Sequence, residues 1–170
     1  MTDARKLVVL KRLTDHLKTI APNADHDFDL SQGVYRGKQQ FGEEAPLPAV
    51  SILENPRPDH GLLGGEHGIK YKEDWVLLLQ GWVKDDHENP TDPAYNLMAA
   101  VEKKLSELID IDDNGEPLYP SVYLLGDLIV ELRVGPGVCR PPQEGLSSKA
   151  FFFLPLTITL SYSIAEPYAL

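Results

Sequence analysis

Residues 71–84 read YKEDWVLLLQGWVK, and the architecture of the chain follows from them. Side chains alternate between the two faces of a strand. Here Trp75, Leu77, Leu79 and Val83 fall on one face, and Val76, Leu78 and Trp82 on the other. A strand that is apolar on both sides belongs in the middle of a sheet and is covered twice. A helix is expected over one face. The second cover is either more of the same domain or another subunit.

The segments on either side supply the rest of the sheet and its helices. Residues 3–20 carry Leu10, Leu13, Leu17 and Ile20 at helical spacing, with Lys6, Lys11, Arg12 and Lys18 on the other side. Asp3 is the expected N-cap, and Pro22 with Asn23 ends the helix. Strands are expected at 34–36 and 49–54, joined by the Gly- and Pro-containing loop 37–48. Residues 55–68 hold two prolines and four glycines and read as a long loop. Asp92 as N-cap and Pro93 at the first helical position open a second helix whose apolar stripe is Leu97, Met98, Val101, Leu105 and Leu108, ending near Ile109. Further strands are expected at 126–134 and 151–162, separated by the Gly135-Pro136-Gly137 break and a loop over 138–148. Pro155 marks an edge, a bulge or the beginning of the last strand. The predicted fold is α+β: one domain over residues 1–170, a mostly antiparallel sheet of four to five strands, and two helices packed on one face.

Length and charge narrow the function classes. The chain has 170 residues, 42% of them apolar, enough for a sizeable core and too apolar for disorder. No apolar run is long enough for a membrane helix, and the N-terminal residues do not read as a secretory signal. Cys139 is the single cysteine. The net charge is −10, unevenly spread: residues 85–116 hold ten acidic and two basic side chains, while residues 1–20 hold five basic and two acidic. A sequence-reading nucleic-acid binder needs a basic footprint, and this composition opposes one.

Catalytic and ligand motifs are fragmentary. GVYRGK (33–38) falls one residue short of a phosphate-binding loop, with no Ser or Thr after Lys38, so turns after short strands explain it better. Asp110, Asp112, Asn114 and Gly115 open like a calcium loop, but the twelfth position is Ser121. Asp59, His60, Glu66 and His67 could ligate a divalent ion only if their loop folded back. His16, His26 and His87 are expected in solvent. Arg140 beside Cys139 is expected to lower the thiol pKa modestly. No serine sits in a nucleophile elbow. The reading is therefore of a non-enzymatic protein without cofactor.

Two motifs carry a resemblance. One is R-G-x-x-x-F-G followed by P-L-P-x-V-S-I-L-E, here Arg36, Gly37, Phe41, Gly42, Pro46, Leu47, Pro48, Val50, Ser51, Ile52, Leu53 and Glu54. The other is W-x-L-x-x-x-G-W running into P-x-D-P-A-Y, here Trp75, Leu77, Gly81, Trp82, Pro90, Asp92, Pro93, Ala94 and Tyr95. With a late strand containing L-P-L-T-I, these make the chain resemble the tail terminator (minor tail or neck) proteins of long-tailed bacteriophages over most of residues 5–160.

The resemblance implies a hexameric ring in the virion, at the head-proximal end of the tail, assembled in the host cytoplasm. Such a ring caps the tail tube, ends its polymerisation, joins the head–tail connector protein and lets DNA pass. A cyclic ring needs two different patches per subunit. Under this reading Arg36, Phe41, Trp75, Trp82, Lys11 and Arg12 are the expected contacts with other subunits or the tube protein. Asp85, Asp86, Glu88, Asp110, Asp112 and Asp113 then form an acidic face, either lining the lumen or meeting a basic neighbour. A head–tail joining or tail-completion subunit of a neighbouring ring is the alternative within the structural class. A small metal-dependent enzyme or ligand-binding module on loop 55–68 is the alternative from another class.

Overall fold

The computed structural model describes residues 1–41, 45–55, 68–143 and 149–169. It is an α+β fold with a mixed sheet of six strands. In chain order these are β1 (Val34–Arg36), β2 (Ala49–Glu54), β3 (Lys70–Val83), β4 (Glu131–Val134), β5 (Val138–Arg140) and β6 (Ala150–Ser163). The helices are α1 (Arg5–Leu17), α2 (Asp92–Ser106) and the one-turn α3 (Leu124–Asp127).

The sheet is built on a long antiparallel ladder. All fourteen residues of β3 pair with β6, from Lys70 opposite Ser163 to Val83 opposite Ala150. β2 adds antiparallel to β3, and β1 adds parallel to β2 at the edge. β4 and β5 both pair with β6 on its other side, giving the order β1-β2-β3-β6-β4 with β5 beyond the turn from β4. The sheet thus has one strand more than the expected four to five, because VCR (138–140), read as loop, is the short strand β5.

Pro155 sits inside β6 without breaking the β3–β6 ladder. Its carbonyl accepts from the Gly135 amide, 2.8 Å away. In an antiparallel strand a residue's N–H and C=O point the same way, so the missing proline N–H faces the gap between β4 and β5. The Gly135-Pro136-Gly137 turn interrupts pairing there in any case.

The core lies between the sheet and the helices. Val9, Leu13 and Leu17 of α1, with Ile20 after it, pack with Leu97, Met98, Val101 and Leu105 of α2 onto Leu77 and Leu79 of β3 and Leu154, Leu156 and Ile158 of β6. Trp75 belongs to this core too: its Nε1 donates to Glu54 Oε2 at 3.3 Å, and Lys6 Nζ lies 5.3 Å from its ring centroid. Gly81 is required by the packing, since a Cβ there would sit 2.1 Å from the ring of the fully buried Phe152.

Several local expectations are corrected. Asp3 does not cap α1; its carboxylate pairs with Lys11 at 2.6 Å, and Ala4 occupies the cap position without a side-chain bond. Thr91, not Asp92, precedes α2, and Asp92 begins it. The strand expected at 126–134 covers only Glu131–Val134. In α3, just before it, Leu124, Leu125, Gly126 and Asp127 all have positive φ, a left-handed turn. Arg12 ties this turn to α1, its Nη1 donating to the Leu125 carbonyl at 2.9 Å.

His16 is buried rather than solvated. Its Nε2 donates to the Lys104 carbonyl at 2.8 Å and lies 3.6 Å from Glu107 Oε2, joining α1 to the end of α2. Burial holds its pKa below the usual value, against the opposing pull of the Lys104 carbonyl and Glu107.

Candidate interaction surface

The face of the sheet turned away from the helices is set by alternation. It carries Tyr35, Ala49, Ser51 and Leu53 from β1 and β2, and Asp74, Val76, Leu78, Gln80 and Trp82 from β3. From β6 it carries Phe151, Phe153, Pro155, Thr157 and Thr159. Its buried cluster is Ala49, Trp82 and Phe151, with Tyr35, Phe41, Leu47 and Phe153 packed against it, and no helical residue takes part.

Among the described residues the chain caps this face at its Trp82 end. Phe41 lies 4.4 Å from the Trp82 ring and 5.3 Å from Tyr35, so the segment after β1 folds back over the sheet. Lys38 holds that fold. Its amide donates to Ser51 Oγ at 3.1 Å, and its ammonium lies 4.4 Å from the Tyr35 ring and 4.8 Å from Phe41. Phe151 and Phe153 extend the cluster edge to face, 5.3 Å apart.

Along β3 the face becomes more open and then more polar. Leu78 and Pro155 are half-buried, while Val76 is 50% exposed and Val138 of β5 is 53% exposed. Beyond Val76, Asp74 accepts from the Thr159 hydroxyl at 2.6 Å and pairs with Arg133 at 3.4 Å. The Thr159 hydrogen bond, with Arg133 assisting, holds the Asp74 carboxyl below the usual range. Lys72 and Lys70 continue the same face to the end of the strand.

The expected contact residues divide into two groups. Trp75 and Trp82 are 7% and 4% exposed and act inside the subunit, so neither offers free surface. Phe41 is half-buried as the lid on Trp82. Arg36 and Arg12 are exposed but tied inward: Arg36 Nη1 donates to Thr14 Oγ1 at 2.9 Å, and Arg12 holds the left-handed turn. Lys11 is exposed and paired with Asp3. Val76 lies on the second face of β3 that the sequence pattern offers for another subunit, and its half-exposure makes it the open residue of that face; Val138 falls in a stretch that the sequence reads as loop, and β5 itself had to be seen to find it.

The acidic residues are all exposed and lie in two turns. Asp86 Oδ1 accepts from the Glu88 and Asn89 amides, ordering the corner that also carries Asp85 and Glu88 between β3 and α2. Asp112 Oδ1 accepts from the Asn114 and Glu116 amides, closing the turn flanked by Asp110 and Asp113. The calcium-like motif is thus an acidic turn whose central carboxylate serves its own backbone. Among the described residues no group of three or more His, Cys, Asp or Glu side chains is placed to hold a metal ion. Asp59, His60, Glu66 and His67 lie outside the described residues. Cys139 is half-buried in β5; burial, with Glu102 adding to it, pushes its thiol up to about 11, opposite to the lowering expected from Arg140. No helix of the described residues is long and apolar enough to cross a membrane.

No family model matches the chain, and no curated protein matches it.

Proposed function

We propose that this chain is a structural assembly subunit, the tail terminator of a long-tailed bacteriophage, acting as a hexameric ring that caps the tail tube and meets the head connector. The observation that supports an assembly role is the second face of the sheet. It is apolar over Val76, Leu78, Pro155 and Val138, lies next to a preformed aromatic cluster, and has no helix over it among the described residues. Exposed apolar surface beside a rigid, packed sheet is the kind of surface that another chain covers. The family is suggested by the Arg36–Glu54 and Trp75–Tyr95 motifs. Their strand residues lie on β1, β2 and β3, the strands that contribute this face, and Asp92–Tyr95 begin α2 on the other side of the sheet.

Heterologous ring contacts join two unlike patches. The open sheet face supplies one. The acidic corner Asp85–Asp86–Glu88, at the far end of β3, supplies charge for a second or for a lumen wall that repels DNA phosphates. The test is the solution mass by light scattering, alone and with purified tail tubes, followed by electron microscopy. A sixfold species with a central hole, or sixfold density on tube ends, is expected. Monomers that leave tube ends bare overturn the proposal.

A further inference from the structure

The open sheet face is positive in a chain whose net charge is −10. Strand alternation puts Lys70, Lys72, Arg133 and Arg140 on it, with Asp74 and Glu131 as the carboxylates of its strand residues. Arg133 and Asp74 pair with each other at 3.4 Å. Lys70, Lys72 and Arg140 are exposed and enter no ion pair among the described residues. Along β3, the half-exposed Val76 follows the two lysines on the same face.

The hairpin after α2 has the complementary pattern. It leaves the helix layer just after Leu108, a core residue. Ile111 bridges to Pro117, the Leu118 amide donates to the Asp110 carbonyl at 3.0 Å, and the Asp112 amide donates to the Glu116 carbonyl at 2.8 Å. Opposite residues of such a ribbon share a side, and successive residues alternate. Asp110, Asp112, Glu116 and Leu118 therefore lie on one side, with Ile111 and Pro117 on the other. Leu118 and its neighbour Tyr119 are half-exposed. The Asp112 carboxylate serves its own turn, whereas Asp110 and Glu116 are exposed and enter no ion pair among the described residues. The corner Asp85–Asp86–Glu88 is also acidic but exposes no large apolar side chain.

We infer that the open sheet face of one subunit receives the 110–119 hairpin of a second copy of this chain, with Glu116 toward Lys70 and Lys72 and with Leu118 and Tyr119 toward Val76. This rests on the assembly reading above and supplies its second patch. The hairpin springs from the helix layer and the receiving face is the other side of the sheet, so the contact is heterologous and copies add head to tail. The charges fix partner and orientation, and the apolar residues supply the buried area.

The test is charge reversal on each side, at exposed positions only: K70E/K72E and D110K/E116K. Assembly is read by light scattering, and by electron microscopy on purified tail tubes. Each variant alone sets like charges against each other at every contact, so it should melt as wild type does yet need at least about tenfold more protein to assemble. An equimolar mixture of the two restores opposite charges at each contact of an alternating ring and should recover the wild-type mass. Carbodiimide coupling of assembled wild type should join Lys70 or Lys72 to Asp110 or Glu116 between subunits. If wild type assembles but either variant assembles equally well, the mixture stays dissociated, or the lysines couple to Asp85, Asp86 or Glu88 instead, this pairing is overturned and the assembly role stands. Wild type that stays monomeric and leaves tube ends bare overturns both.

Discussion

At position 81 a single missing methyl group decides how β3 meets β6. A Cβ there would lie 2.1 Å from the Phe152 ring, which is fully buried and has nowhere to move. Overpacking a core usually costs about 1–3 kcal/mol. Gly81→Ala is expected at or above the top of that range, read as a drop in urea midpoint with little change in slope. A second residue acts through charge. Burial keeps the His16 pKa below its ordinary 6.5, and Lys104 and Glu107 are the charged groups that face it. Between the folded and unfolded values the unfolded chain holds the extra proton, so stability rises with pH there. The contribution is complete above about 6.5, the unfolded value, and fades as pH falls toward the folded one. The wild-type protein should therefore lose more stability between pH 7.5 and 5.5 than His16→Gln, whose amide can still donate to the Lys104 carbonyl. Equal pH slopes in chemical denaturation would show that His16 does not titrate on unfolding. The sequence could not reveal this burial, because the partner carbonyl is 88 residues away along the chain.

Among the elements, α3 departs furthest from ordinary backbone. Left-handed conformation costs a non-glycine residue roughly 1–2 kcal/mol, and Leu124, Leu125 and Asp127 all adopt it. The buried Leu125 side chain and the Arg12 bond to its carbonyl offset that cost. Gly126→Ala places a Cβ 2.6 Å from Arg12 Nη1 at φ +71°, so it should destabilise by about 1–2 kcal/mol. Asp127→Gly, exposed and at φ +61°, should stabilise by up to about 1 kcal/mol. Thermal melts of the two variants should move in opposite directions. The same region explains which elements were legible. The stripes of α1 and α2 and the two-sided pattern of β3 repeat over several turns or pairs, and the structure places all three as read. GDLI before β4 is apolar enough to pass for strand, yet its first two residues turn left-handed because tertiary contacts from α1 hold them. β5 is three residues long and has no period to detect; the register of β6 creates it.

For the whole molecule, the question is whether the open sheet face is covered by a neighbour. The candidate contacts named from sequence were chosen by residue type, and aromatic type signals a buried anchor whether the burial is within a subunit or between subunits. Trp75 and Trp82 are spent within the subunit, which moves the test to Val76. Val76 is half-exposed and stands between Leu78 and the Asp74–Thr159 pair, so Val76→Asp should cost the monomer no more than about 1 kcal/mol, the span of strand propensities. In an assembly that buries this face, the same carboxylate is desolvated without a partner, a penalty of several kcal/mol repeated at every interface of a closed ring. Phe41→Asp acts differently, because it strips the lid from Trp82 and should lower the melting temperature of the subunit itself. The expected pattern is an unchanged melt with scattering mass reduced to the 18.9 kDa subunit for Val76→Asp, and a lowered melt for Phe41→Asp at any protein concentration. A Val76→Asp protein that keeps the wild-type assembled mass, or caps tail tubes as well as wild type, would place the subunit contact elsewhere and leave this face to the solvent.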